Sequence, residues 1–140
     1  MNISARIANR HGEHNVSLRS GTREHALTVP PKEDGFGSSA NGGELLFLAL
    51  ATCYCNDIYR EAKKRGIEVE SVDVEVRGEF GGEGEPARNV SYRASVAARA
   101  PQEKILALMR HTDTVAEIQN TLRHSSLIVL SECEAREVRG

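Results

Sequence analysis

Tryptophan is absent, and phenylalanine and tyrosine number only three each in 140 residues. So thin an aromatic supply leaves no platform on which nucleobases or sugars could stack. Basic residues form no block: 18 Lys and Arg against 20 Asp and Glu give a net charge of −2, spread along the chain, so DNA or RNA is not an expected partner. No apolar run reaches the ~18 residues that cross a bilayer, and the opening MNISARIANRHG lacks the charged-then-apolar layout of a signal peptide. No membrane partner is expected, and the expected compartment is the cytoplasm. Cysteine is limited to three, an odd number without C-x-x-C spacing, which does not make a secreted disulfide framework and points any thiol chemistry towards reversible, catalytic use. His11, His14, His25, His111 and His124 lack metal-ligand spacing, and no phosphate-cradling glycine motif or nucleophile elbow is present. Neither a metal nor another cofactor is expected.

What the chain does contain is one dominant stretch, NGGELLFLALATCYCNDIYREAKKRG, residues 41–66. Its length and pattern predict a single long helix. Leu45 to Ala51 are apolar without interruption, so this half has no solvent-facing stripe and must be covered on every side. The second half turns amphipathic and ends in Lys63, Lys64 and Arg65, where the helix dipole favours cations. Asn41 can cap the first turn, and Gly66 supplies a left-handed stop.

Around this helix the pattern is that of sheet. Short strands are predicted near residues 3–9, 15–19 and 25–29, divided by turn residues, and a Pro- and Gly-containing loop spans 30–39. After Gly66, Val72, Val74 and Val76 alternate with Asp73, Glu75 and Arg77, and Val90, Tyr92, Ala94, Val96 and Ala98 return as the second strand of a hairpin. Pro101 opens a short helix to His111; Thr112 or Asp113 can cap a further helix with Val115, Ile118 and Leu122 inward; a closing strand is expected from Leu127 to Glu132. These elements predict one α+β domain over residues 1–140, with antiparallel sheets wrapped around a long central helix. A shell of 140 residues is small for an all-apolar helix, and a homodimer is the expected remedy.

Cys53 lies in the apolar run and Cys55 two residues on. On a helix their side chains point ~200° apart, so they can neither pair nor chelate one metal. Buried free cysteine is common as a packing residue; a reactive one needs a lowered pKa and a path to solvent.

NGGELLFLALATCYC, followed by AKKRGIEVESVDVEVRGEF, resembles the central helix and following strand of the OsmC/Ohr family of thiol-dependent hydroperoxide reductases. In that family an Asn-Pro-Glu-Glu-Leu segment leads into a small-residue helix and then Ala-Ala-Cys. The resemblance implies an intertwined homodimer in which an organic or hydrogen peroxide oxidises a helix cysteine to a sulfenic acid in oxidative-stress defence; a second cysteine resolves it and a dithiol recycles the pair. Carried over, Cys53 matches the peroxidatic position and Glu44 the second carboxylate. Gly42 and Gly43 stand where the family has Pro-Glu. Arg10, with Arg19 as a rival, stands for the thiolate-holding arginine. The resolving cysteine has no counterpart: the family's late-helix Cys-Pro-Val-Ser-x-x-Leu reads Ala116-Glu117-Ile118-Gln119-Asn120-Thr121-Leu122 here. Cys133 and Cys55 are the alternative resolving or accessory thiols, and an external thiol reductant would serve a one-cysteine cycle.

Two readings follow. One is a hydroperoxide reductase acting through Cys53. The other is a non-peroxidase relative that binds a small apolar ligand at the dimer interface, favoured by the absent resolving cysteine and by Gly42-Gly43.

Overall fold

The computed structural model describes residues 1–124 and 128–138. Strands β1 (Ile3–Arg10), β2 (Glu13–Ser20) and β3 (Arg23–Ala26) are followed by helix α1 (Gly42–Lys64), the pair β4 (Glu68–Glu79) and β5 (Arg88–Arg99), and helices α2 (Gln102–Val115) and α3 (Glu117–Arg123). The chain divides into two compact units, Met1–Leu48 with Arg77–Val90, and Ala49–Val76 with the chain from Ser91 on.

In the first unit β1, β2 and β3 form an antiparallel meander in chain order. The register sets Ile7 opposite Val16 and Ala5 opposite Leu18, so the apolar side chains of both strands lie on one face. Among the described residues nothing covers it fully: Ile3 is 68% and Ile7 57% exposed. The first turn of α1 closes with a reciprocal capping box: the Asn41 N–H donates to Glu44 Oε1 at 2.9 Å, and the Glu44 N–H donates to Asn41 Oδ1 at 2.8 Å. Two otherwise orphaned donors are thereby satisfied. Phe47 and Phe80 stack at 5.8 Å, and a Cβ placed on Gly43 would meet the Phe80 ring at 2.8 Å. Any larger residue at position 43 therefore requires the Phe80 ring to shift.

The second unit holds the principal core. Tyr54, Ile58 and Ala62 of α1 and Leu108 of α2 are buried together, with Val72, Val74, Tyr92, Ala94 and Val96 packed against them. The valine and alanine alternation expected of β4 and β5 supplies this inner face. Tyr54 donates its hydroxyl to the Met109 carbonyl at 2.9 Å, so its polar tip does not interrupt the apolar packing. Gly66, at φ +66°, ends the turn after α1 in the left-handed region.

The apolar first half of α1 is left part-open, with Leu48 56% exposed, and the buried residues of the helix are Leu50, Tyr54, Asp57, Ile58, Glu61 and Ala62. Three sequence expectations need correction. Thr112 and Asp113 do not cap a helix. Thr112 is buried inside α2 with its hydroxyl donating to the Leu108 carbonyl, Asp113 takes side-chain donors from Tyr92 and Arg123, and Ala116 occupies the start of α3. The inward residue of α3 is Gln119, while Leu122 is exposed. The expected closing strand begins at Leu127, which lies outside the described residues; residues 128–138 carry no strand, and Ile128, Val129 and Leu130 are exposed. Apolar β-branched residues make a strand only where a neighbouring strand accepts their hydrogen bonds.

Candidate functional site

Residues Cys53, Asp57, Arg60 and Glu61 recur at intervals of four, three and one along α1, close to one helical face. Charged residues at these positions would ordinarily face water. Here Asp57 is 6% and Glu61 4% exposed, and their charges are matched locally. Arg60 is the hub: Nη1 lies 3.1 Å from Asp57 Oδ1 and 2.8 Å from Glu117 Oε2, and Nε lies 2.8 Å from Glu61 Oε2. Lys64 Nζ at 3.0 Å and His111 Nε2 at 3.0 Å complete the surroundings of Glu61.

Cys53 stands at one end of this network. Its thiol points at Asp57 Oδ2 at 3.5 Å and at Glu117 Oε1 at 3.8 Å, and the backbone N–H of Ile118 donates to the sulfur. The start of α3 is thus brought to the thiol, and Gln119 fixes it there by donating to the Leu50 carbonyl of α1 at 3.0 Å. Ala116 immediately precedes Glu117 and is fully buried.

The electrostatics run against a free thiolate. Burial pushes the Cys53 thiol above its ordinary value, the Ile118 N–H pulls it back in part, and the negative charges of Asp57 and Glu117 push it further up. Burial likewise raises Asp57, and its hydrogen bond to Glu117 adds to the rise. Glu117 moves the other way, held down first by its own backbone N–H and then by Asp57 and Arg60. Arg60 donates to Glu61 and lowers it to about 2, with Lys64 and His111 assisting.

The ligand atoms of Cys53, Asp57 and Glu117 all lie within 4.8 Å of one another, near enough to meet on one cation. Arg60 already supplies the countercharge to both carboxylates, which makes the group an ion-paired thiol site.

The other residues singled out from sequence have local partners. Glu44 is engaged in the capping box with Asn41. Arg10 pairs with Glu13 at 3.4 Å and Arg19 with Glu24 at 2.6 Å, both on the surface of the β1–β3 sheet. Cys55 borders a shallow groove with Ala51, Thr52, Asn56, Val72 and Val74. Cys133 is exposed in the segment 128–138. Asp57, Arg60 and Glu117 were not apparent as site residues in the sequence. The spacing of the first two from Cys53 was a usable signal; Glu117 joins them through the tertiary placement of α3.

A long helix with antiparallel sheet and two further helices defines an α+β protein, and solved structures of the same class superpose on most of the chain. They include the OsmC-like protein from Mycoplasma pneumoniae (18% identity, 87% of this chain and 86% of that one, TM-score 0.58). The organic hydroperoxide resistance protein from Elizabethkingia anophelis (18%, 88% and 89%, 0.53) and OhrB, the organic hydroperoxide resistance protein of Bacillus subtilis (16%, 86% and 90%, 0.52), are similar too. Identities this low establish the fold. Comparison with curated proteins gives no match. The family model for OsmC-like proteins matches residues 35–131, and the chain belongs to that family.

Proposed function

We propose that this protein reduces hydroperoxides through Cys53 as a cytoplasmic homodimer, in defence against oxidative stress. The observation that carries the reading is the setting of Cys53: a half-buried thiol at the family's peroxidatic position, with the start of α3, two carboxyl groups and the Arg60 cation gathered beside it. Attack of the sulfur on a peroxide oxygen breaks the O–O bond, leaves Cys53 as a sulfenic acid and releases an alcohol or water. Two equivalents of an external thiol then return it to the thiol through a mixed disulfide, since Ala116 stands in the family's resolving position. Cys133 and Cys55 are the internal candidates for that step. Glu44 and Arg10 belong to the proposal by resemblance, as supports of the thiol in the assembled protein. The uncovered apolar face of β1 and β2, and the exposed Leu48 of α1, support an assembly in which a second copy completes the core.

The raised thiol gives a second reading some weight: a relative that binds a small apolar ligand at the dimer interface, with Cys53 as a packing residue. Consumption of cumene hydroperoxide under dithiothreitol separates the two. The reductase turns over, Cys53→Ser does not, and Cys55→Ser and Cys133→Ser report whether either thiol takes part. Equal consumption by wild type and Cys53→Ser would refute the first reading.

A further inference from the structure

A thiol raised by burial and by acidic neighbours is a poor nucleophile unless something removes its proton during attack. Resting on the reductase reading, we infer that Asp57 is the proton acceptor for Cys53 and the donor to the departing oxygen, a thiol–carboxyl dyad oriented by Arg60 and Glu117. The geometry carries it. Asp57 Oδ2 lies 3.5 Å from the Cys53 sulfur, one helical turn on, while Arg60 holds the opposite oxygen, Oδ1, at 3.1 Å. One lobe of the carboxylate is thus anchored and the other is left facing the thiol. Glu117, with a more exposed side chain, has one oxygen on Arg60 at 2.8 Å and the other 3.8 Å from the sulfur, and so flanks the dyad from α3.

The step balances. Asp57 takes the S–H proton as sulfur attacks the peroxide; the S–O bond forms and the O–O bond breaks. Sulfur is oxidised by two electrons to the sulfenic acid, and the leaving alkoxide receives the proton from Asp57 and departs as an alcohol. Burial raises the carboxyl of Asp57 above the ordinary aspartate value, which makes it a stronger base than a surface aspartate would be. The charged groups around the dyad are Asp57 and Arg60 on α1 and Glu117 on α3, with Glu61, Lys64 and His111 in the next layer.

An electrostatic or purely structural role for Asp57 and a proton-accepting role predict opposite signs. Asp57 carries negative charge that disfavours the thiolate; if that were its whole effect, Asp57→Asn would make Cys53 more reactive. A base predicts a loss, on the order of 100-fold. The test uses the full-length protein with Cys55→Ser and Cys133→Ser, so that only Cys53 reports. Rates with cumene hydroperoxide and, separately, with iodoacetamide are followed against pH. The expected wild-type profile is flat across neutral pH, because ionised Asp57 is already in place; Asp57→Asn lowers the plateau and restores the roughly tenfold rise per pH unit of an unassisted thiol. Glu117→Gln removes a group that raises Asp57, so the acid limb of the profile moves to lower pH, a shift that stands as the test should Asp57→Asn not fold. An Asp57→Asn protein as fast as its parent at neutral pH, or an unmoved acid limb in Glu117→Gln, would overturn the inference. Flat, Asp57-dependent alkylation without any reaction with the hydroperoxide would instead overturn the reductase reading and leave the dyad standing.

Discussion

Arg60→Leu probes the electrostatics of the site at its hub. The guanidinium neutralises Asp57 at 3.1 Å, and Asp57, 6% exposed, cannot turn to bulk water when that partner is lost. Removing one member of a buried ion pair costs about 3–5 kcal/mol. Arg60 itself keeps 39% of its side chain in solvent, which screens the pair, and about 2 kcal/mol is the expected loss at neutral pH. That loss shrinks on acidification, and the sign follows from Glu61. Donation from Arg60, followed by Lys64, holds Glu61 down at about 2 from an ordinary 4.5. A depressed carboxyl contributes stability that is fully present above its unfolded value and disappears as pH falls through its folded value. Arg60→Leu releases Glu61 upward and forfeits that contribution, so wild type and variant converge between 4.5 and about 2. Asp57 works in the same direction, because a carboxyl raised by burial takes up its proton early and no longer misses the cation. Urea unfolding followed by circular dichroism, at neutral pH and again at about pH 3, measures both quantities. A loss under about 1 kcal/mol at neutral pH, or an equal loss at both, would refute the reasoning.

Ala116→Cys places a thiol one residue before Glu117, whose side chain reaches the Cys53 sulfur at 3.8 Å; one equivalent of hydroperoxide is expected to yield a disulfide between Cys53 and the introduced thiol, detected by peptide mapping, where the parent yields none at that pair. Ile58→Ala empties a site of 0% exposure at the centre of the second unit's core, and about 3 kcal/mol should be lost in chemical denaturation. Asn41→Ala breaks the capping box of α1 at a cost of about 1 kcal/mol; hydrogen exchange should show faster amide exchange in the first turn of the helix.

What the sequence disclosed was whatever depends on near neighbours. The alternation of Val72, Val74 and Val76 against charged residues, and Asn41 and Gly66 bracketing α1, are local signals, and the helix and hairpin stand where those signals put them. The division between α2 and α3 escaped because Thr112 and Asp113 have the chemistry of caps, while their actual partners, the Leu108 carbonyl, Tyr92 and Arg123, are chosen by packing. The site was half legible. Cys53 stood out through its family position, yet Asp57, Arg60 and Glu61 passed for an ordinary wet flank, because charge is a poor guide to burial where the charges satisfy one another. Their spacing from Cys53 held the information; the start of α3, which makes them a site, could not be read from spacing at all.

Gly43 and Phe80 restrict the order in which this sequence can change. The family has a glutamate where this chain has Gly43, but any side chain there meets the Phe80 ring at its first carbon. A side chain at position 43 therefore requires the Phe80 ring, 52% exposed, to move aside. Shrinking Phe80 first forfeits its stacking on Phe47. The two positions are thereby coupled, so a library that varies one at a time would miss the dependence of each on the other.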